Sequence, residues 1–342
     1  MRLSCFLFFL LLISLNAFSQ TNTNDETNSR WKIRRKNFIQ KADSVLSNFQ
    51  RRMSPVDSNY IVRPHGTWTF KVRYNLAGTR IKTKGYSQKE YFTSDIQTDI
   101  RHTTSFSATY RGITLGFAVN PARLTGKKHD FELNINSYGN KYGLDYVYQN
   151  TSTFHGKVNA PSGDVAISSG IVKFRAVTTT AYYVFNGKKF SLPAAFTQSY
   201  IQKRSSGSFF LGLSYHGSSL FINNPNHDDE DFRRIRTSHA GISVGYGYNL
   251  VPPKNWLIHM SVQPSIVLFS NNKLYYYGDE TKRSNDWSDI LFTGRIAVIH
   301  YFKKKYFIGV TYNYNHSKTG DTDRISVSNG KWHGRLIFGM RM

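Results

Sequence analysis

The stretch Gly66-Thr-Trp-Thr-Phe-Lys-Val-Arg-Tyr-Asn-Leu76 alternates apolar and polar side chains along its whole length. Successive side chains of a β-strand point to opposite faces, so this stretch has one apolar face and one polar, basic face. The apolar face carries Trp68, Phe70, Val72, Tyr74 and Leu76. The same pattern recurs in altered form along the chain and again at its end, over 331–342. Repeated two-faced strands predict an all-β protein.

The N-terminus indicates where such a protein works. Residues 1–19 contain a basic Arg2, an apolar run from Phe6 to Leu15, and small residues at Ala17 and Ser19. This is the pattern of a secretory signal peptide, with cleavage expected before Gln20. Cleavage removes Cys5, the single cysteine, so the mature chain has no disulfide and no thiol nucleophile. No later apolar run has the length of a membrane-spanning helix, so an exported chain that spans a membrane is expected to close into a barrel.

Several patterns favour lipid on the apolar faces. Aromatic residues make up 15% of the chain, as expected for aromatic girdles at two membrane interfaces. A strand of about ten residues, tilted by about 40°, covers the roughly 25 Å of an outer-membrane apolar band. Short connections also alternate with long polar ones, which we place at 77–101, 151–172, 225–237, 270–287 and 317–330. Short periplasmic turns and long outer loops are typical of such barrels.

We therefore predict an all-β, antiparallel transmembrane outer-membrane β-barrel of about 14 strands, with 12 as the alternative. The predicted strands are 66–76, 102–111, 112–120, 129–138, 142–150, 173–185, 189–201, 207–216, 218–224, 238–250, 255–269, 288–301, 305–316 and 331–342. The alternative count arises because 218–224 is a weak strand and 112–120 follows its neighbour closely.

The segment before the barrel has a different periodicity. Phe38, Ile39, Ala42, Val45, Leu46 and Phe49 recur at helical spacing among basic residues, which predicts a short amphipathic helix within 31–52. The sequence allows four roles for this helix. It lies on a membrane surface, plugs the lumen, contacts a periplasmic partner or packs over the periplasmic mouth of the barrel. The domains are a signal peptide over 1–19, an N-terminal periplasmic segment over 20–64 and the barrel over 65–342.

The charge of the chain is strongly positive, with a formal net value of +24 at pH 7. A basic surplus favours anionic partners, and export makes nucleic acid the least suitable. Outer-membrane lipid and lipopolysaccharide phosphates, or anions in a pore, fit better, and solvated loop charge is an equally good explanation. The barrel-assembly machinery is an expected partner during insertion. The oligomeric state does not follow from the sequence.

A central block carries a family resemblance. It runs through 182–191, 193–198 and 202–208, reading Tyr182-Tyr-Val-Phe-Asn-Gly-Lys-Lys-Phe-Ser191, Pro193-Ala-Ala-Phe-Thr-Gln198 and Gln202-Lys-Arg-Ser-Ser-Gly-Ser208. With a shorter segment at 57–61, this block resembles an uncharacterised Bacteroidetes-type outer-membrane β-barrel family, a domain of unknown function. The resemblance extends from about Asp57 to the C-terminus. It implies fold and location, and it supplies no catalytic or binding residues. A tight Asn186-Gly187 turn between two strands explains part of the block.

Motifs for catalysis or metal binding are absent from the sequence. It has no Gly-rich phosphate loop, no paired metal-ligand motif and no nucleophile elbow, so we predict no catalytic residues, no metal and no cofactor. The acidic run 227–231 offers oxygen ligands for a divalent cation, but arginines follow at once and self-pairing is favoured. Ser238 and His239 are adjacent on a strand and so point to opposite faces, which makes them a poor catalytic pair.

The polar faces carry the candidate site. The residues predicted to line the bore are Lys71, Arg73, Asp130, Glu132, Asp145, Lys173, Arg175, Arg295 and Arg335. Charges inside a small barrel must be hydrated or paired. They either line a water-filled, weakly anion-selective channel or form an ion-pair network that fills the bore.

Three functions follow from these alternatives. The first is a pore for small, possibly anionic solutes. The second is a non-conducting barrel for surface interaction or envelope structure, with 77–101 and 151–172 as its contact surface. The third is an outer-membrane lipid-modifying enzyme, which would need a serine activated by histidine.

Overall fold

The computed structural model describes residues 37, 44, 55–64, 68–87, 90–110, 113–119, 130–223, 232–277, 281–284, 290–303, 305–321 and 325–342. The chain divides into two compact units, 1–52 and 53–342. Asn37 and Ser44 are helical, and the rest of the amphipathic helix predicted within 31–52 lies outside the described residues. Among the described residues, no helix is long and apolar enough to cross a membrane.

The second unit consists almost entirely of strands. These are β1 Ile61–Val62, β2 Trp68–Ser87, β3 Glu90–Thr98, β4 Arg101–Tyr110, β5 Ile113–Val119, β6 Phe131–Tyr138, β7 Tyr142–Thr151, β8 Phe154–Ala160, β9 Gly163–Ile167, β10 Val172–Val184, β11 Ile201–Gln202, β12 Ser206–Ile222, β13 Phe232–Leu250, β14 Trp256–Ser270, β15 Asn272–Tyr276, β16 Thr281–Ser284, β17 Ile290–Phe302, β18 Tyr306–Asp321 and β19 Ile325–Arg341. One short helix, α1 Leu192–Phe196, lies between β10 and β11.

Twelve of these strands form the barrel wall. Antiparallel pairings run in the order β5, β4, β2, β19, β18, β17, β14, β13, β12, β10, β7 and β6. The first and last barrel strands pair with each other, so β2 lies beside β19 with Val72 opposite Phe338. The predicted antiparallel transmembrane β-barrel is confirmed. We call the end that carries the short turns 139–141, 251–255 and 303–305 the periplasmic end.

Among the described residues the wall strands number twelve, as in the alternative count. Two of the fourteen predicted strands do not exist as wall strands. The stretch 207–216 and the stretch 218–224 are one continuous strand, β12, which passes through Gly217 without a turn. The stretch 189–201 is not a wall strand, because helix α1 with Pro193 in its first turn lies there and the chain folds inward instead of returning along the wall.

Side-chain exposure along β2 shows which face meets lipid. Phe70, Val72 and Tyr74 are between 42% and 44% exposed, whereas Lys71 is 4% exposed. The apolar face therefore points outward and the basic face points into the bore, as the sequence predicted.

The pattern inverts beyond the apolar band. Further along β2, Ile81 is buried while Arg80 and Lys82 are exposed. Past the lipid the outer face meets water, so apolar side chains turn inward. They form an apolar cluster in the far end of the barrel, which we call the outer cluster: Ile81, Ile96, Phe154, Val172, Phe174, Ala176, Leu220 and Ile235.

The long outer connections are largely extended strands. The predicted loops 77–101 and 151–172 contain β3, β8 and β9, and they join because β3 pairs with β8, with Asp95 opposite Lys157. The extension of β2 pairs with β3, and β8 pairs with β9. We call this four-stranded surface the outer sheet.

Candidate functional site: an internal plug and a basic chamber

The central block of the sequence is folded into the barrel as a plug. The plug consists of residues 185–205 together with 55–62, which join through the short β1–β11 pairing of Ile61 with Gln202. Helix α1 begins after Ser191, whose hydroxyl accepts a hydrogen bond from the Ala194 amide at 3.2 Å. All five residues of α1 are buried.

Apolar packing holds the plug in the periplasmic end of the barrel. Phe190 and Leu192 of the plug are at most 1% exposed. They belong to a cluster with inward side chains of six wall strands: Tyr182, Val184, Phe210, Leu257, Ala297, Ile299, Phe307 and Ile337. We call this the plug cluster. Full burial of so many large side chains makes the plug an integral part of the fold.

Cationic and phenolic donors of the wall bind the C-terminal carbonyls of the plug helix. Lys71 Nζ donates to the Thr197 carbonyl at 2.8 Å, and Arg341 Nη2 donates to the Gln198 carbonyl at 2.8 Å. Tyr301 donates its hydroxyl proton to the Ala194 carbonyl at 3.3 Å. The last carbonyls of a helix lack partners within the helix and carry partial negative charge, so cations suit this end.

Buried amides hold the other side of the plug. Asn249 Nδ2 donates to the Ser191 carbonyl at 2.9 Å and to Gln202 Oε1 at 3.0 Å. Ser191 in turn donates its hydroxyl proton to Asn140 Oδ1 at 2.7 Å, which links the plug to the 139–141 turn. Asn249, Gln202 and Tyr301 were not among the predicted residues, because a strand pattern does not show what an inward side chain will contact.

A substitution at Gly187 tests the fit of the plug against this turn. A Cβ atom at Gly187 would lie 2.0 Å from the carbonyl oxygen of Asn140, so Gly187→Ala forces the plug or the turn to move. We expect the free energy of unfolding, measured by urea titration in detergent, to fall by about 1–3 kcal/mol. Gly334→Ala is the matched control, since a Cβ there meets no atom within 4 Å. Equal unfolding curves for both variants would contradict this packing.

A polar chamber of about 480 Å³ lies above the plug. Residues from β2, β4, β6, β19 and the plug line it, including Lys71, Arg73, Arg101, Glu132 and Arg335. Phe196 and Thr197 form part of its lining on the plug side. Five of the nine residues predicted to line the bore meet here, namely Lys71, Arg73, Asp130, Glu132 and Arg335.

The chamber carries more positive charge than its ion pairs neutralise. Glu132 forms ion pairs with Arg101 and with Lys331, the latter at 3.0 Å. Arg73 Nη2 donates to the Ser107 hydroxyl at 2.7 Å. Among the described residues, Lys71, Arg73 and Arg335 have no carboxylate within 4.0 Å. These three cations therefore make the chamber basic.

Asp145 and Arg295 form a separate pair across the bore. Arg295 Nη2 lies 2.8 Å from Asp145 Oδ2, and Arg295 Nη1 donates to Gln263 Oε1 at 3.1 Å. The Arg295 side chain is 4% exposed and the Asp145 side chain 17%. Of the two alternatives for the inward charges, a water-filled channel and an ion-pair network, this contact belongs to the second.

Asp130 lines the chamber and also accepts hydrogen bonds from the Ser152 amide at 3.0 Å and the Thr153 hydroxyl at 2.6 Å, so it holds the chain just before β8. Two predicted residues lie outside the bore. Lys173 and Arg175 lie on the exposed outer face of β10, which corrects their prediction as inward residues. The reason is the inversion beyond the apolar band, where Val172 and Phe174 turn inward into the outer cluster.

The described residues bring no metal-binding group together. They contain no group of three His, Cys, Asp or Glu side chains placed to hold a metal ion. His239 is buried and Ser238 donates to the outward Tyr215 hydroxyl at 3.2 Å, so the two residues do point to opposite faces. The acidic run 227–231 lies outside the described residues.

Comparisons with known proteins give one family match. Residues 55–341 match a family described as "Domain of unknown function (DUF4421)". No curated protein is significantly similar to the chain in sequence.

Three solved structures illustrate the similarity in fold. The autotransporter NalP translocator domain from Neisseria meningitidis is 8% identical, with 93% of this chain and 98% of that chain covered and a TM-score of 0.32. OprG from Pseudomonas aeruginosa is 11% identical, with 82% and 98% covered and a TM-score of 0.28. The P. putida toluene transporter TodX is 8% identical, with 82% and 91% covered and a TM-score of 0.27. Likenesses this weak say nothing about what the chain does.

Proposed function

The chain belongs to the family described as Domain of unknown function (DUF4421), and since that description assigns no activity, we propose one from the site. We propose that the protein is a plugged, non-conducting outer-membrane β-barrel that serves in surface interaction or envelope structure. The observation that carries this proposal is the plug, whose side chains are buried in the periplasmic end of the bore.

The way the plug is held supports a permanent closure. Moving it out would expose Phe190, Leu192 and Phe196 together, and burial of each such side chain contributes about 1.5–3 kcal/mol. It would also leave Lys71 and Arg341 without the carbonyls that they bind. Unpaired buried cations are unfavourable. The exposure of the apolar side chains and the loss of these hydrogen bonds therefore both oppose an open state.

The outer sheet supports a role in surface interaction. Tyr86 and Tyr91 are 53% and 45% exposed and stack edge to face with their ring centroids 5.3 Å apart. Exposed tyrosines of this kind are enriched at protein interfaces. Nearby, hydrogen bonds from Arg80 hold the pKa of Asp95 below its ordinary value, so this ion pair persists at neutral pH. The outer sheet therefore combines an aromatic patch with fixed charge.

A second candidate function, passage of small anions, is favoured by the chamber. Lys71, Arg73 and Arg335 would attract an anion into a volume of about 480 Å³. Passage requires displacement of the plug, and apolar side chains of the outer cluster pack in the opposite end of the bore. For the third candidate, a lipid-modifying enzyme, the opposed faces of Ser238 and His239 offer no support.

Conductance separates the first two candidates. We expect the purified protein, folded and inserted in a planar bilayer with a salt gradient, to give no steady current steps at neutral pH. Folding is checked by the resistance of the barrel to unfolding in cold dodecyl sulfate. Steady steps with a reversal potential that favours anions would overturn the closed barrel and support the pore.

A further inference from the structure

A row of cations lies on the outer face of the barrel, beyond the apolar band and away from the plug and the chamber. We call Lys173, Arg175, Arg234, Arg236 and Lys273 the basic row. They come from three strands, β10, β13 and β15, and β12 lies between the first two. Lys173, Arg175 and Arg236 are exposed, and Arg234 and Lys273 are partly exposed.

Strand register brings these side chains together. Lys173 lies opposite Phe221, and Phe221 lies opposite Arg234 on the next strand. Arg175, Ser219 and Arg236 form a second line of the same kind, which Lys273 extends because it lies opposite Arg236. Opposed residues of neighbouring strands share one face. Three strand spacings of about 4.8 Å give the basic row a width of roughly 14 Å.

The height of the basic row matches a lipid headgroup. On β13 the outward side chains Tyr246, Val244 and Ile242 are exposed and apolar. Ala240, opposite Tyr215, is the last small apolar position before Ser238 and Arg236. Arg236 is thus four residues past Ala240, at the edge of the apolar band. For a strand tilted by about 40°, these four residues place Arg236 about 10 Å above that edge.

The basic row has no carboxylate partner within the described part of the chain. None of its five cations lies within 4.0 Å of a described carboxylate, whereas Arg80 and Lys82, on the outer face of β2, pair with Asp95. Arg234 is nevertheless held in place, because its Nε donates to the Ser219 hydroxyl at 2.8 Å. Its guanidinium also stacks on Phe221 at 4.4 Å and on Tyr275 at 5.6 Å from the ring centroids.

We propose that the basic row binds the phosphate groups of outer-leaflet lipid. A guanidinium that is fixed by one nitrogen and two rings keeps its remaining donors for a bidentate contact, the geometry that phosphate oxygens accept. Clustered cations just above an apolar band are attracted to anionic headgroups, and lysine or arginine side chains reach down to them. A lipid with two phosphates matches the two lines of cations.

The test compares lipids that differ only in phosphate. Folded protein in neutral detergent is titrated with diphosphoryl lipid A and with chemically dephosphorylated lipid A, and bound lipid is counted by native mass spectrometry. We expect the wild-type protein to prefer the diphosphoryl lipid. The triple variant Arg175→Gln/Arg234→Gln/Arg236→Gln is expected to bind that lipid at least about tenfold more weakly.

A matched variant controls for charge alone. Lys254→Gln/Lys303→Gln/Lys305→Gln removes the same charge from exposed turns at the periplasmic end and is expected to bind like wild type. Equal binding of both lipids by wild type, or unchanged binding by the arginine variant, would overturn the proposal. Full displacement of the lipid by millimolar pyrophosphate would assign the row to a soluble phosphate and overturn the lipid assignment as well.

Discussion

Replacing both Phe190 and Phe196 with alanine is expected to release the plug while the barrel stays folded. Phe190 is 0% exposed and stacks against Phe210 and His259, with ring centroids 5.7 and 5.9 Å apart. Phe196 packs against His259 at 5.0 Å and Tyr138 at 5.4 Å. Truncating a buried phenylalanine lowers the free energy of unfolding by about 3–5 kcal/mol. Most of that loss is expected in the plug, because backbone hydrogen bonds between neighbouring strands hold the wall.

Amide hydrogen exchange measures this release directly. Exchange reports the free energy of local opening, so the amides of 190–202 are expected to exchange at least about a hundredfold faster in the double variant. The amides of β12 and β14 should keep their protection. Phe209→Ala/Phe269→Ala is the matched control, because these phenylalanines are 62% and 73% exposed on the outer face. Unchanged protection of 190–202 in a folded double variant would show that these rings do not hold the plug.

Replacing Arg295 with methionine is expected to destabilise the barrel by about 3–5 kcal/mol, the loss expected when one partner of a buried ion pair is removed. The substitution leaves Asp145 without its 2.8 Å partner and Gln263 without a donor to its Oε1. The Asp145 carboxylate, which is only 17% exposed, then has no counter-charge. The measurement is the urea dependence of unfolding in detergent, followed by tryptophan fluorescence.

A double-mutant cycle attributes that loss to the pair. Because removal of both charges leaves no unpaired ion, Arg295→Met/Asp145→Asn is expected to recover much of the stability that Arg295→Met loses. Arg175→Met is the control, since this arginine is exposed on the outer face of β10. If the losses of the two single variants simply add, the ion pair does not stabilise the bore.

The two predictions describe one property of the bore. Lys71 and Arg341 are satisfied by backbone carbonyls of the plug, and Arg295 by Asp145. Inward cations of a β-barrel therefore need not serve permeation. In this protein two of them, Lys71 and Arg341, bind the plug.

The sequence predicted the wall well because its signal is local. Alternation of two residues, as in Phe70, Lys71 and Val72, follows from the geometry of one strand and needs no distant partner. The same rule failed at Lys173 and Arg175, where the surroundings of the outer face change from lipid to water. Alternation states that two faces differ, and only the position of the strand relative to the membrane decides which face turns inward.

The plug could not be predicted in this way. The block at 182–208 was recognisable as a motif, but its strand-like composition at 189–201 hid a helix that folds into the bore. Its contacts join residues far apart in the chain, such as Lys71 with Thr197 and Arg341 with Gln198. The sequence by itself determined a basic, two-faced barrel and predicted its export. The tertiary structure alone decided that a plug occupies the periplasmic end of the bore, because the partners of buried groups are set by long-range contacts that no local pattern encodes.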